Sequence, residues 1–123
     1  MDTCALLWLA SGDSRLSRQA QAAISDAPIA LVSVVSGFEI ALKHKRGKLE
    51  LPVDPQEWFQ TTTAHHGLTI MTLGLVDALR APQLPDLHRD PCDRFIIAAA
   101  VRLGIPIVTA DARFEPYGVS VIG

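Results

Sequence analysis

One core's worth of apolar side chains is what 123 residues at 49% hydrophobic and 20% charged supply, a globular balance that excludes a disordered or low-complexity chain. A formal charge of −2 excludes a global basic field, so any contact with nucleic acid must come from a local patch. Two cysteines at opposite ends, Cys4 and Cys92, exclude a disulfide framework and a zinc site built on thiolates. With no secretion signal and no apolar run long enough to cross a bilayer, a single cytoplasmic domain spanning residues 1–123 is expected.

Helical and strand-like stretches alternate at short intervals, which predicts an α/β fold. Ala5 to Leu9 reads as a short helix stopped at Ser11-Gly12-Asp13, and Ser17 to Ser25 as a second with Ala20, Ala23 and Ile24 on one face. After Pro28, Ile29 to Val32 is a compact strand, and Val34 to Lys45 a helix ended by Gly47. Asp54, Pro55 and Glu57 are a cap, a first-turn proline and the third member of a capping box, with Gly67 beyond the helix end. Leu68 to Leu73 predicts a strand, Leu75 to Arg80 a short helix, and Pro82 to Arg89 a loop. Asp90-Pro91-Cys92-Asp93 opens a helix whose apolar body is Phe95 to Leu103; Gly104 closes it before the strands Ile105 to Val108 and Val119 to Ile122.

Four acids sit beside these apolar runs: Asp2, Glu39, Asp93 and Asp111, the last just past Ile105-Pro106-Ile107-Val108. If the strands are parallel, such residues converge at the carboxyl edge of the sheet, where open α/β folds bind ligands. Carboxylates gathered there repel one another unless a cation is present. Each also has a plainer reading. Asp2 suits a cap for the helix at Ala5, Asp111 a turn cap, and Asp90 fits capping better than metal binding. Glu39, among Phe38, Ile40, Ala41 and Leu42, is set in a largely apolar turn. None of the histidines has a clear catalytic role, and Trp8, Trp58 and Phe59 fall in helical patterns that suit a core or an interface better than base stacking.

The motifs Asp2-Thr3-Cys4-Ala5-Leu6-Leu7-Trp8, Phe38-Glu39-Ile40-Ala41, Gly47-Lys48-Leu49-Glu50-Leu51-Pro52, Asp90-Pro91-Cys92-Asp93-Arg94 and Thr109-Ala110-Asp111-Ala112-Arg113-Phe114 follow one another in a known order. On them the chain resembles PIN-domain ribonucleases, specifically VapC-type toxins, from Asp2 almost to its end. The resemblance implies a three-layer α/β/α fold around a central, mainly parallel sheet. It also implies hydrolysis of RNA with Mg²⁺ or Mn²⁺, a homodimer and a VapB-type antitoxin. Asp2, Glu39, Asp93 and Asp111 are then the metal ligands, direct or through water, with Asp90 and Thr109 behind them and no nucleophilic side chain. Lys43, Lys45, Arg46, Arg94 and Arg113 become candidate contacts for phosphate or antitoxin, although a run such as Lys43 to Lys48 equally suits a solvated surface.

One departure stands out. The family places an apolar strand before the Asp-Thr motif, whereas only Met1 precedes Asp2 here. A first strand truncated in this way is expected to hold Asp2 loosely and to weaken metal binding. Phosphatases of the haloacid dehalogenase type need Asp-x-Asp where this chain has Asp2-Thr3-Cys4, and receiver domains need an acidic pair that is absent. The alternative left standing is a catalytically weak or inactive PIN-like module that binds a protein partner.

Overall fold

The computed structural model describes residues 1–123. Six helices and four short strands follow in the order α1 (Thr3–Ser11), α2 (Arg18–Asp26), β1 (Leu31–Ser33), α3 (Val34–Lys45), α4 (Pro55–His65), β2 (Thr69–Met71), α5 (Leu75–Arg80), α6 (Pro91–Leu103), β3 (Ile107–Val108) and β4 (Val121–Ile122). Capping decides where most helices start. Asp2, Ser17, Ser33, Asp54 and Asp90 each accept an amide N–H from the first turn that follows, a donor with no partner inside the helix. Gly12 and Gly104 end α1 and α6 in the left-handed conformation, with φ of 67° and 65°, which lets their amides return to carbonyls of the last turn. No helix is long and apolar enough to cross a membrane.

The strands are parallel, as expected, but the sheet is divided. β1 pairs with β2 and β3 with β4, and no ladder joins the two pairs. Between them lie Met1 and Asp2: the Met1 ammonium donates to the Leu31 carbonyl at 3.1 Å and the Asp2 amide to the Val108 carbonyl at 3.0 Å. Two residues make one bond to each side, too few for a strand, so the expected central sheet becomes two halves stitched at the amino terminus. No strand precedes α1.

The looseness expected of Asp2 is not what this arrangement produces. The residue is 6% exposed, and its carboxylate accepts the Ala5 amide on Oδ1 and the Thr109 hydroxyl on Oδ2. A further buried bond, Thr3 Oγ1 to Ser36 Oγ at 2.9 Å, fastens the start of α1 to α3. Asp2 is thus tied to β3, to its own helix and to Thr109, contacts that oppose fraying.

The core has three clusters, one of which, Ala5, Leu16 and Ala20 with Met1, Val108 and Ile122 packed against it, joins α1 and α2 to the β3–β4 pair. Leu6, Val32, Ile40 and Leu68 pack on the β1 side, and Ile96, Ile97, Ala100, Ile107 and Phe114 on the β3 side. Asp77 of α5, itself buried, forks onto Arg102 of α6 through bonds of 2.7 and 2.9 Å. The Pro82 to Arg89 segment is partly helical, since Ala81–Gln83 makes a 3₁₀ turn, and a second 3₁₀ segment, Ala112–Tyr117, carries Phe114 into the core. Because Phe114 is fully buried, Phe114→Ala should remove about 3–5 kcal/mol of stability in urea unfolding. A loss well under 1 kcal/mol would mean that the pocket collapses around the gap and that Phe114 is not a keystone of this half.

Candidate active site

Three of the acids read from the sequence stand just before helical segments, and that is what aims them. Asp2 caps α1 through Ala5 N, Asp90 caps α6 through Cys92 N, and Asp111 caps the 3₁₀ segment through Arg113 N, each with Oδ1 at 2.9 Å. One carboxylate oxygen is used in capping and the other is left to point elsewhere. Asp93 lies in the first turn of α6 and Glu39 in the second turn of α3. All five carboxylates line one cavity of about 340 Å³, together with Thr3, Cys4, Trp8, Lys43, Ala110 and Arg113. The capping and site readings of Asp2, Asp90 and Asp111 are therefore compatible rather than rival. Asp90, expected behind the others, faces the same cavity, and its carboxylate lies within 4.8 Å of ligating atoms of Glu39 and Cys92.

Crowding shows in the acidities. Burial first, then the carboxylates of Asp90, Glu39, Asp2 and Asp111, push Asp93 up to about 7. Asp111 goes the other way: its hydrogen bonds from the Arg113 side chain hold it well below the usual carboxylate range, helped by the Arg113 amide and by His88. Thr109, 1% exposed, joins two of the acids, since its hydroxyl donates to Asp2 Oδ2 and accepts the Asp111 amide at 3.0 Å. The donor set is mainly carboxylate oxygen, with water access, which suits a hard divalent cation better than a thiophilic one.

The basic residues sort differently from expectation. Lys43 lines the acidic cavity, and Arg113 does too, although its guanidinium is engaged by Asp111 at 2.7–3.2 Å. Arg46 lines a neighbouring apolar groove of about 580 Å³ with Val34, Phe38, Leu42, Leu73 and Phe95. Lys45 is exposed and lines neither, because the helical period that brings 39, 43 and 46 to one side carries 45 away. Arg94 is the clear correction: its guanidinium donates to the carbonyls of Ala81, Leu84, Pro85 and His88 at 2.8–3.0 Å, so it staples the 81–88 segment instead of facing phosphate. A planar fork with five donors can hold several carbonyls at once, which explains why Arg stands there.

The sequence reading missed His88. The residue is 2% exposed, and its Nε2 lies 3.0 Å from Asp93 Oδ2 and 3.1 Å from Asp111 Oδ2. It sits in a loop with no period to mark it as buried, and its only signal is closeness to Asp90-Pro91-Cys92-Asp93.

The sequence profile of the PIN domain matches residues 1–119. The chain belongs to the PIN domain family. Ribonuclease VapC22 of Mycobacterium tuberculosis (strain ATCC 25618 / H37Rv) is 29% identical to it over 120 residues, covering 95% of this chain and 89% of that protein. No solved structure matches the chain.

Asp93 gives this PIN domain a measurable pH signature. Without metal, its folded pKa of about 7 lies above the ordinary 3.8, so between those values the folded state holds more protons than the unfolded one. Stability contributed by this group is thus lost as pH rises from about 4 to about 7. In chelator, the melting temperature should fall across that window, the fall should be much smaller in Asp93→Asn, and a divalent cation added near neutrality should restore it. Identical profiles for parent and Asp93→Asn would show that Asp93 is not strained by its neighbours.

Proposed function

We propose that residues 1–123 act as one PIN domain and as a Mg²⁺- or Mn²⁺-dependent endoribonuclease, the toxin of a VapBC-type toxin–antitoxin pair acting in the cytoplasm. The observation that carries this reading is the meeting of Asp2, Glu39, Asp90, Asp93 and Asp111 around one solvent-accessible cavity. Asp2, Glu39, Asp93 and Asp111 would hold the ion directly or through water, with Asp90 as a fifth acid and Thr109 fixing the Asp2 side. When bound, the ion supplies Lewis acidity toward a phosphodiester and makes a water acidic enough to attack it.

What the protein adds is placement. Carboxylates whose other oxygen is spent on a helix cap cannot swing away, so the site is set before substrate arrives. Lys43, on the cavity wall, offers positive charge to an incoming phosphate, and Arg113 would do so once released from Asp111. RNA binding should weaken steeply with salt, as contacts to phosphate do.

The groove beside the cavity supports a protein partner. Its lining is largely apolar, with Phe38 61% exposed, and includes Lys43, Arg46 and Lys48 beside Glu39 and Asp90, a surface that offers a partner segment apolar anchorage and more basic than acidic groups. We assign it to a VapB-type antitoxin. Leu75, Val76 and Leu79 of α5, all largely exposed, are the surface we assign to a homodimer. A second reading, an inactive module that only binds a partner, is favoured by one observation: Arg113 already neutralises Asp111.

Cleavage of RNA with Mg²⁺ or Mn²⁺ separates the two. Activity should vanish with chelator and fall roughly a hundredfold or more in Asp93→Asn, because the ion's contribution is worth several kcal/mol. Equal residual activity in parent and variant would remove the nuclease reading and leave the binding module.

A further inference from the structure

We propose that His88 is a positioning residue of the acidic cavity: a buried imidazole, held from behind, that uses one N–H to keep the Asp93 and Asp111 carboxylates side by side for a shared cation. The two acids come from different elements, the first turn of α6 and the segment after β3. Local geometry therefore cannot set their spacing. His88 is the side chain that reaches both, with Nε2 at 3.0 Å from Asp93 Oδ2 and 3.1 Å from Asp111 Oδ2.

Hydrogen bonding behind the ring decides what Nε2 does. The Asp90 amide donates to Nδ1 at 3.1 Å, and a backbone N–H can only donate, so Nδ1 carries no proton. The proton is then on Nε2, which is hydrogen-bonded to Asp111 Oδ2 at 3.1 Å and has Asp93 Oδ2 3.0 Å away. For Nε2 to ligate a metal it would have to lose that proton while Nδ1 stays bare, which the Asp90 contact opposes. His88 is thus a donor to candidate ligands rather than a ligand, a role that in metal sites fixes the orientation of coordinating groups.

The ring has little freedom to do otherwise. It meets Phe114 edge-on, with centroids 5.5 Å apart and planes at 88°. Its own amide donates to the Tyr117 hydroxyl at 2.8 Å and its carbonyl accepts from Arg94 at 3.0 Å. The Arg94 staple and Tyr117 therefore hold the His88 backbone, Phe114 and Asp90 hold the ring, and the ring reaches the two acids.

This role builds on the nuclease reading, but metal binding tests it without RNA. Mn²⁺ would be titrated calorimetrically into metal-free parent, His88→Leu and His88→Gln, with thermal melts to establish folding. Loss of a partner to metal ligands typically weakens metal binding about 10–100-fold, so His88→Leu should bind Mn²⁺ at least about tenfold more weakly. Gln offers an amide N–H near the position of Nε2, so His88→Gln should recover most of the affinity, a rescue that a purely space-filling role would not give. In RNA cleavage at saturating Mn²⁺, the same variants should change kcat more than KM for RNA. Should Leu fail to fold, His88→Met fills the same volume flexibly and takes its place. The proposal is overturned if the folded apolar variant binds Mn²⁺ as the parent does, if Gln is no better than Leu, or if the parent binds no Mn²⁺. Binding that depends on His88 in a protein that cleaves no RNA would uphold the proposal and reject the nuclease reading alone.

Discussion

Carboxylates brought together in a partly buried cavity repel one another, and the surrounding architecture offsets that repulsion in several ways. Three of the five stand before helical segments, where unpaired amides and the helix dipole favour negative charge. The same bonds that cap the helices also orient the acids. Residual strain falls on Asp93, which is set inside the first turn of α6 among the other four and has its pKa pushed up to about 7. A cation bound there would relieve a repulsion that the fold itself has created and so would couple binding to folding.

Arg113 eases the strain at Asp111, and a second place in the chain shows how little that contact depends on the site. Asp13 and Arg15, also two residues apart and not among the residues lining the acidic cavity, make the same set of bonds: amide to Oδ1 at 2.9 Å and guanidinium to Oδ2 at 2.7 Å. The Arg113 contacts at Asp111 repeat those distances. Both Asp-x-Arg steps of this chain close on themselves in this fashion. Arg113 is accordingly a local counterion, and exposed pairs of this type are weak enough to exchange.

Helix positions were legible because their signals are local. Val34–Lys45 and Leu75–Arg80 fall where periodicity puts them, and Asp54 caps α4 as the capping box requires, through Glu57 N. Strands were overread: Leu68 to Leu73 shrinks to Thr69–Met71, and Ile105 to Val108 to Ile107–Val108, since apolar runs mark burial without marking pairing. The acids were legible through their places next to those runs. His88 and Arg94 were not. One depends on contacts reaching 23 residues along the chain to Asp111, the other on carbonyls up to 13 residues back, and neither distance leaves a trace in sequence spacing.

The seam at the amino terminus bears on how the cavity behaves as a mechanical object. Glu39 rides on α3 with the β1–β2 half, Asp111 follows β3 in the other half, and Asp2 bridges the line where the halves meet. A continuous ladder would resist shear along that line with many bonds, whereas here the strand-to-strand linkage passes through one bond on each side of a two-residue stitch. Small sliding of one half past the other would therefore change the Glu39-to-Asp111 separation directly.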